Sequence, residues 1–459
     1  MKKYQLIGRR KFSFSPKRPI QYPLLHLCSL PLEILIQIFQ NFSQDTKSLL
    51  ILSLVCKRFH IIINKHFLYV TITFKKPSTF YKFSVSHLLH EPSSNINYLQ
   101  KVELMNPQIR DSSKYKTRIA GSYAVESDNR TANQLNYNDF ITSIKGLLGQ
   151  AFGLKCLILS EISPEFIFPL ETQSNTTGLR LLGKKKNIPK SKRTLNNLIL
   201  RTQSGWSIPF KQGHLSLICE YFDTINQLHL VNFIIDDTKP MNIGEVQTNK
   251  LIIESCIYTN SFKKSGVKPQ PNTLFNKVGI LELRNILNDS GLSLIDLVKL
   301  NNSNLNHLII DISSNIFYVE NNEFNFKRFN RFFNLLCSGY GNFTNLTLTN
   351  FTLFQYLMHD EVDHKQDQDS WIEPSENNFE TFMKFISQIS NLRIMLRKNS
   401  SNVKTCIKCG FIEQQQDKDI DCLTSSEWEI FLKPLELNRD NSISIFNYKN
   451  NQLYSRSKM

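Results

Sequence analysis

One pattern recurs along most of the chain and limits how it can fold. An apolar residue is followed by any two residues, a second apolar residue, any one residue and a third apolar residue. Each copy predicts a short β-strand with one buried face, because its last two apolar positions alternate with another residue. Eight copies occur, at Leu99/Val102/Leu104, Leu154/Leu157/Leu159, Leu195/Leu198/Leu200, Ile225/Leu228/Leu230, Val278/Leu281/Leu283, Leu305/Leu308/Ile310, Phe343/Leu346/Leu348 and Ile389/Leu392/Ile394. A weaker copy places Thr248 before Leu251 and Ile253.

Two further features accompany these copies. Asn232, Asn285 and Asn350 each follow the last apolar position by the same offset, where asparagine is typical of a turn. Helix-like segments precede several copies, at residues 215–225, 292–300, 326–337 and 379–389. Helix, short strand and turn in repetition resemble a leucine-rich repeat, which implies an α/β solenoid whose strands line the concave surface.

The spacing of the copies departs from a regular repeat. The interval between last apolar positions ranges from 23 residues (Leu230 to Ile253) to 55 residues (Leu104 to Leu159), whereas leucine-rich repeats measure about 20–29 residues. We therefore predict loop insertions at residues 106–137, 174–194 and 359–376. The alternative is an irregular α/β domain with a few parallel strands.

The stretch SLPLEILIQIFQNF, residues 29–42, predicts a helix that begins after Leu-Pro. Proline is tolerated in a first helical turn, a glutamate there suits the helix dipole, and Ser29 is the expected cap. The apolar stripe that we expect to be buried consists of Ile34, Leu35, Ile38, Phe39 and Phe42. Leu30, Leu32 and Ile36 lie outside it, so the helix carries more apolar residues than one face requires.

Two more amphipathic stretches follow and complete a small helical unit. A second helix start at Asp45-Thr46 precedes Leu49, Leu50, Leu52 and Leu54, and a third stretch contains Val55, Phe59, Ile62 and Ile63. Three short helices enclose little interior, so we expect this unit to dock onto a partner.

These helices resemble the F-box family. The resemblance rests on Leu30-Pro31, Glu33-Ile34-Leu35, Ile38-Phe39, Leu49-Leu50 and Leu54-Val55-Cys56-Lys57-Arg58-Phe59, followed by a predicted strand within residues 68–74. It implies binding to the Skp-type adaptor of a cullin–RING (SCF) ubiquitin ligase. The implied adaptor-binding residues are Leu30, Pro31, Glu33, Ile34, Leu35, Ile38, Phe39, Leu50, Val55, Cys56, Lys57 and Phe59.

A protein target is expected to bind the strand residues that lie between the buried apolar positions. The candidates are His229, Glu282, Arg284, Asp311 and Thr347. Because they are polar, mixed in charge and modest in size, they favour a polypeptide over a small apolar ligand.

The charge distribution argues against a nucleic-acid-binding protein. The formal net charge is +16, but much of the excess lies in residues 1–20 and 184–193, and an acidic stretch spans residues 359–376. Such charge blocks are typical of solvated segments rather than of a folded basic face. The acid-free N-terminus and the second basic cluster also resemble, respectively, an organelle-targeting segment and a nuclear import signal.

Motifs for catalysis are absent from the sequence. There is no phosphate-binding P-loop, nucleophile elbow or His-Glu-x-x-His helix, so we expect a non-catalytic protein without a cofactor. Cys406 and Cys409 have the spacing of half a zinc site, but a second pair is missing, so we expect no metal. Nine scattered cysteines suit a reducing compartment, and no apolar run reaches the length of a membrane span.

We therefore predict an α+β multi-domain protein: a basic flexible segment at 1–23, a three-helix F-box at 24–74, an irregular leucine-rich-repeat-like domain at 75–400 and an extension at 401–459. The predicted function is the substrate receptor of an SCF ubiquitin ligase, located in the cytoplasm or nucleus. The alternative is a non-degradative F-box adaptor or scaffold, similar to a fungal F-box protein at the mitochondrial surface.

Overall fold

The computed structural model divides into two compact units, residues 1–68 and 69–459. The residues that it describes are 27–89, 94–105, 137–162, 166, 168, 193–203, 207–236, 247–259, 278–287, 304–317, 326–337, 344–351, 389–396, 402–405, 412–415, 442–447 and 449–456. The predicted N-terminal segment, the acidic insertion 359–376, the helix-like segment 292–300, nearly all of 106–137 and of 379–389, and most of 174–194 lie outside these ranges.

The first unit contains three short helices, α1 (Leu32–Gln40), α2 (Thr46–Ser53) and α3 (Lys57–Ile63), preceded by a 3-10 turn at Leu27–Ser29 and followed by a π-helical turn at Asn64–Leu68. Asp45 caps α2 as predicted, since its carboxylate accepts hydrogen bonds from the amides of Lys47 and Ser48. The predicted cap Ser29 is wrong. Pro31 precedes α1 directly, in an extended conformation and without a side-chain cap.

The interior of the first unit is small and rich in aromatic residues. The Phe39 ring packs edge-on against Phe59 at 5.0 Å and against Phe67 at 6.4 Å between ring centroids. The fully buried apolar residues are Leu35, Phe39, Leu49, Phe59, Ile62 and Ile63. Of the stripe that we expected to be buried, Ile34 and Phe42 are exposed, because only one narrow side of α1 meets the other two helices.

The second unit is built on a 12-stranded mixed sheet. Its strands, in spatial order, are β1 (Thr71–Phe74), β2 (Lys101–Met105), β3 (Cys156–Ile162), β4 (Thr194–Thr202), β6 (Thr224–Val231), β8 (Gln247–Glu254), β10 (Ile280–Arg284), β11 (His307–Asp311), β12 (Asn345–Phe351), β13 (Asn391–Leu396), β16 (Ser442–Phe446) and β17 (Gln452–Arg456). Every neighbouring pair is parallel except β16–β17, which is antiparallel.

Five shorter strands lie outside this sheet. β5 (Ile208–Pro209), β7 (Phe233–Asp236) and β9 (Ile257–Thr259) form a parallel three-stranded sheet. β14 (Asn402–Thr405) and β15 (Ile412–Gln415) form an antiparallel pair. β5 follows β4 along the chain, β7 follows β6, and β9 follows β8. In this part of the chain, each strand of the large sheet is therefore followed by one strand of the three-stranded sheet.

The recurring apolar pattern corresponds to strands of the large sheet. All nine copies coincide with a strand, and the strands lie side by side in chain order. Leu281, Leu308 and Leu346 occupy the same register on β10, β11 and β12, and all three are buried. The predicted strands and their buried residues are therefore confirmed.

The turn that ends several strands is also confirmed. Asn232, Asn285 and Asn350 have φ values of 61°, 43° and 53°, in the left-handed region that asparagine tolerates better than most residues. Glu161 and Ser255 stand at the same offset from the last apolar positions of β3 and β8, Leu159 and Ile253, and share this conformation, with φ values of 57° and 52°. The turn geometry is thus common to five strands, although the asparagine is not.

A substitution at Asn232 tests this turn. We expect Asn232→Val to lower the free energy of unfolding by about 1–3 kcal/mol, because a β-branched residue is strained at positive φ. Asn232→Gly is the matched control, since glycine adopts positive φ freely and should change stability by a few tenths of a kcal/mol. Chemical denaturation measures both. Equal losses for the two variants would show that the backbone conformation is not what the asparagine provides.

The described helices of the second unit pack against the apolar residues of the sheet. They are α4 (Pro77–Ser84), α5 (Tyr137–Gln150), α6 (Ser216–Cys219) and α7 (Phe326–Cys337). The predicted helix 326–337 is confirmed as α7, which buries Phe329, Phe332 and Phe333 beside Phe317. The predicted segment 215–225 is helical only at α6, because β6 already begins at Thr224.

Three observations bear on the predicted domain limits. β1 lies within the predicted F-box but pairs with β2 in the large sheet. β16 and β17 lie beyond residue 400 and continue the same sheet. Arg193, expected in a solvated loop, donates hydrogen bonds to the carbonyls of Leu148 and Ala151 at the end of α5. It also lies against the aromatic rings of Phe152 and Phe222.

Candidate functional site

The first unit exposes many large apolar side chains. Leu54 is 82% exposed, Ile51 67% and Val55 61%, although a three-helix unit has few apolar residues to spare. We call the complete set the apolar surface: Leu27, Leu32, Ile34, Phe42, Leu50, Ile51, Leu54, Val55 and Ile61. Its members come from all three helices, from the 3-10 turn before α1 and from the turns that follow α1 and α2.

A groove joins part of this surface to two cationic side chains. Leu32 of α1 and Ile61 of α3 line it together with Ile62, Lys57 and Arg58. Its volume is about 460 Å³, and its walls are mainly apolar. A partner helix or loop with apolar side chains and an acidic edge would match this lining.

Arg58 fixes the segment that precedes α1. Its guanidinium donates one hydrogen bond to the carbonyl of Cys28 and another, at 2.8 Å, to the carbonyl of Leu30. The forked geometry of arginine allows both bonds at once, so the backbone before Pro31 is held against α3. The sequence prediction named the neighbouring Lys57 and omitted Arg58, since helical periodicity alone does not show that a side chain reaches back about 30 residues.

The structure sorts the predicted adaptor-binding residues into three groups. The exposed ones are Pro31, Glu33, Ile34, Leu50, Val55 and Lys57; the half-buried ones are Leu30, Ile38 and Cys56; the interior ones are Leu35, Phe39 and Phe59. The interior side chains are enclosed by the three helices, where they support the exposed residues. That they take part in adaptor binding stays a prediction. Leu27, Leu32, Ile51, Leu54 and Ile61 are exposed apolar residues that the prediction missed.

The predicted target-binding residues lie on the large sheet but are less open than expected. His229 and Glu282 are each only 7% exposed, and Asp311 and Thr347 are also buried. Arg284 alone keeps a substantially exposed side chain, at 42%. Side chains of adjacent parallel strands lie about 5 Å apart and therefore cover one another. That these residues bind a target stays a prediction.

An ion-pair network occupies the centre of this row. The Glu282 carboxylate contacts the Lys250 ammonium at 2.6 Å and the Arg284 Nε at 2.5 Å. His229 Nε2 lies 2.8 Å from Glu254 Oε2, and Arg284 lies 3.8 Å from the same carboxylate oxygen. Two carboxylates thus face a lysine and an arginine, so the network largely neutralises itself.

Burial and charge affect the ionisation of these groups in opposite directions. Burial alone raises the pKa of the Glu282 carboxyl, but hydrogen bonds from Lys250 and Arg284 outweigh it and hold that pKa below its usual value. Burial lowers the pKa of His229 by more than the charge of Glu254 raises it. Glu282 is therefore an anion and His229 a neutral imidazole at neutral pH.

Asp311 and Thr347 have structural partners. Asp311 accepts hydrogen bonds from the amide and hydroxyl of Ser313, at 3.0 and 2.7 Å, and from the side-chain amide of Asn350 at 2.9 Å. Thr347 Oγ1 lies 2.8 Å from His307 Nε2. Asp311 consequently links the turn after β11 to Asn350 near the end of β12, which leaves its carboxylate little capacity for a partner.

Metal ligands are not grouped in the described part of the chain. There, no three His, Cys, Asp or Glu side chains come close enough to hold an ion. Cys406 and Cys409 lie outside the described residues. None of the described helices combines the length and hydropathy needed to cross a membrane.

Comparison with known protein families finds a match for the helical region. No curated protein matches the chain. The F-box-like family model matches residues 27–75, a range that includes all three helices of the first unit and β1. The match agrees with the resemblance seen in the sequence, and it supports an F-box protein whose F-box-like domain occupies residues 27–75.

Proposed function

We propose that this protein is a substrate-recognition subunit of an SCF ubiquitin ligase. The F-box-like domain suggests a subunit that binds a Skp-type adaptor and, through it, a cullin. The observation that carries the proposal is the apolar surface of this domain, because residues 27–68 leave nine large apolar side chains exposed and bury only six. Such an excess is typical of a surface that a partner covers.

The apolar surface provides the driving force for binding. Each square ångström of apolar surface removed from water contributes about 25 cal/mol, before the cost of association is subtracted. The interior residues Leu35, Phe39 and Phe59 hold the helices in place, and Arg58 holds the Leu30–Pro31 segment. Preorganisation of this kind reduces the entropy that binding costs.

The second unit is the proposed target-binding part, with a leucine-rich-repeat-like arrangement. Nine copies of one apolar pattern on adjacent strands, and a left-handed turn after five of them, support this proposal. The target would contact Arg284 and the edge of Glu254, which are the more exposed members of the ion-pair network. The ligase then acts by proximity: the receptor holds the target near a ubiquitin-carrying subunit and performs no chemistry itself.

Affinity purification of the intact chain tests the function. We expect a Skp-type adaptor and a cullin to co-purify in stoichiometric amounts. The adaptor without a cullin would favour the non-degradative adaptor or scaffold instead. Absence of both would contradict an F-box function.

A double variant tests the target-binding face. We expect Arg201→Ala combined with Arg284→Ala to reduce co-purification of other proteins at least about tenfold while the adaptor is retained, because both arginines have exposed side chains at the same end of the sheet. Lys155→Ala is the matched control, since it removes an exposed cation elsewhere in the second unit. Unchanged co-purifying proteins in the double variant would show that this face is not the receptor surface.

A further inference from the structure

Two cysteines of the F-box-like domain lie side by side. Cys28, in the turn before α1, and Cys56, directly before α3, place their sulfur atoms 3.6 Å apart, and both side chains are half-buried. A disulfide has a sulfur–sulfur distance of about 2.05 Å. A shift of about 1.5 Å would therefore bring these sulfur atoms to bonding distance.

Other contacts hold this pair in place. Arg58 binds the carbonyls of Cys28 and Leu30, so the backbone at Cys28 is fixed against α3. The amide of Phe59 donates a hydrogen bond to the Cys56 sulfur at 3.5 Å. These contacts therefore hold the two cysteines beside each other in the folded domain.

Among the cysteines whose side chains the structure describes, Cys56 alone has a lowered pKa. The hydrogen bond from the Phe59 amide lowers the pKa of Cys56, whereas the hydrogen bond with Cys56 raises that of Cys28. Burial raises the pKa of Cys219 and of Cys256 to about 12, and it also raises that of Cys156. The thiolate is the form that reacts with oxidants, so the lowered pKa favours Cys56 over Cys28 as the attacking sulfur.

We propose that Cys28 and Cys56 form an oxidant-sensitive dithiol, and that its conversion to a disulfide weakens adaptor binding. The second part rests on the proposed function, because it assumes that the apolar surface binds an adaptor. The first part concerns the two sulfur atoms alone.

The reaction balances with hydrogen peroxide as the oxidant. The Cys56 thiolate attacks one peroxide oxygen, the O–O bond breaks, and hydroxide leaves to become water with the proton that Cys56 released. The Cys28 sulfur then attacks the sulfenic sulfur, the S–S bond forms, and the second oxygen leaves as water with the Cys28 proton. Two thiols and one peroxide thus give one disulfide and two waters, and a reducing dithiol reverses the oxidation.

The disulfide acts at residues that belong to the predicted adaptor-binding set. Closing the sulfur gap pulls the segment with Leu30 and Pro31 toward the start of α3, next to the exposed Val55. Well-packed interfaces are sensitive to displacements of this size, since dispersion contacts weaken when atoms separate by 0.5–1 Å. We therefore expect the oxidised domain to bind its adaptor more weakly.

The experiment uses the full chain treated with hydrogen peroxide, then with dithiothreitol. Peptide mass mapping should find a Cys28–Cys56 disulfide, and adaptor binding should fall about tenfold, or about 1.4 kcal/mol, and recover on reduction. Cys28→Ser should bind the adaptor normally and lose the reversible response. Cys156→Ser, another half-buried cysteine, is the matched control and should behave like the unmodified chain.

The possible results separate the two proposals. Irreversible oxidation of Cys56 with Cys28 left free would overturn the dithiol. A disulfide that leaves adaptor binding unchanged would overturn the effect on binding. Failure of the untreated chain to bind any adaptor would overturn the proposed function and the effect on binding, while mass mapping still decides whether the dithiol exists.

Discussion

Replacing Ile34 and Val55 together by aspartate is expected to weaken binding of the Skp-type adaptor at least about 100-fold, because both are exposed apolar residues of the predicted contact. Neither side chain belongs to the interior of the three-helix unit, so the domain should remain folded. Ile34→Asp also places a carboxylate in the first turns of α1, where the helix dipole tolerates it. A pull-down with titrated adaptor gives the affinity, and circular dichroism checks the fold.

Two comparisons make this experiment specific. Phe152→Asp is the matched control, since Phe152 is an exposed apolar residue of the second unit and should not affect adaptor binding. Phe39→Ala should also reduce binding, but through loss of about 3–5 kcal/mol of stability when a buried aromatic residue is removed. Binding by the double aspartate variant within about twofold of the unmodified chain would show that the apolar surface is not the adaptor site.

The strands of the second unit were predictable because the sequence pattern that indicates each strand lies within the strand itself. A buried face imposes alternation on each strand, and the left-handed turn favours asparagine, so Leu283 and Asn285 carry the information in adjacent positions. β16 was missed for the same reason. Its Ile443 and Ile445 alternate correctly, but Asp440 stands where the pattern requires an apolar residue.

The surroundings of the polar strand residues were not predictable from such a pattern. Alternation shows that Glu282 points away from the apolar core, but its burial depends on Lys250 of the neighbouring strand and on Arg284. Those contacts follow from the register between strands, which the sequence of one strand does not contain. The polar strand residues consequently form a largely enclosed network, which the pattern of one strand does not show.

In the F-box-like domain, too, features within one helix were predictable from the sequence, whereas contacts between helices were not. The excess of apolar residues in residues 29–42 correctly indicated that some would stay outside the interior. Which ones do so depends on how three helices meet, and the structure exposes Ile34 while burying its neighbour Leu35. The hydrogen bonds from Arg58 to the segment before α1 also depend on that meeting.

A large loss of stability is expected from a substitution in the sheet of the second unit. We expect Leu308→Ala to lower the free energy of unfolding by about 2–5 kcal/mol, because Leu308 is fully buried on β11 between Leu281 and Leu346 of the neighbouring strands. The cavity that it leaves cannot collapse easily, since a strand that is paired on both sides cannot move without breaking its hydrogen bonds.

The adjacent residue is the matched control for this variant. Ile309 follows Leu308 directly on β11, so its side chain lies on the opposite face of the sheet. There it is only half-buried. Ile309→Ala removes the same number of carbon atoms and should cost clearly less, about 1 kcal/mol. Chemical denaturation of the full chain, followed by a signal from the second unit, measures both. An Ile309→Ala variant as unstable as Leu308→Ala would mean that the two faces of β11 are equally buried, and that the helices do not define one apolar side of the sheet.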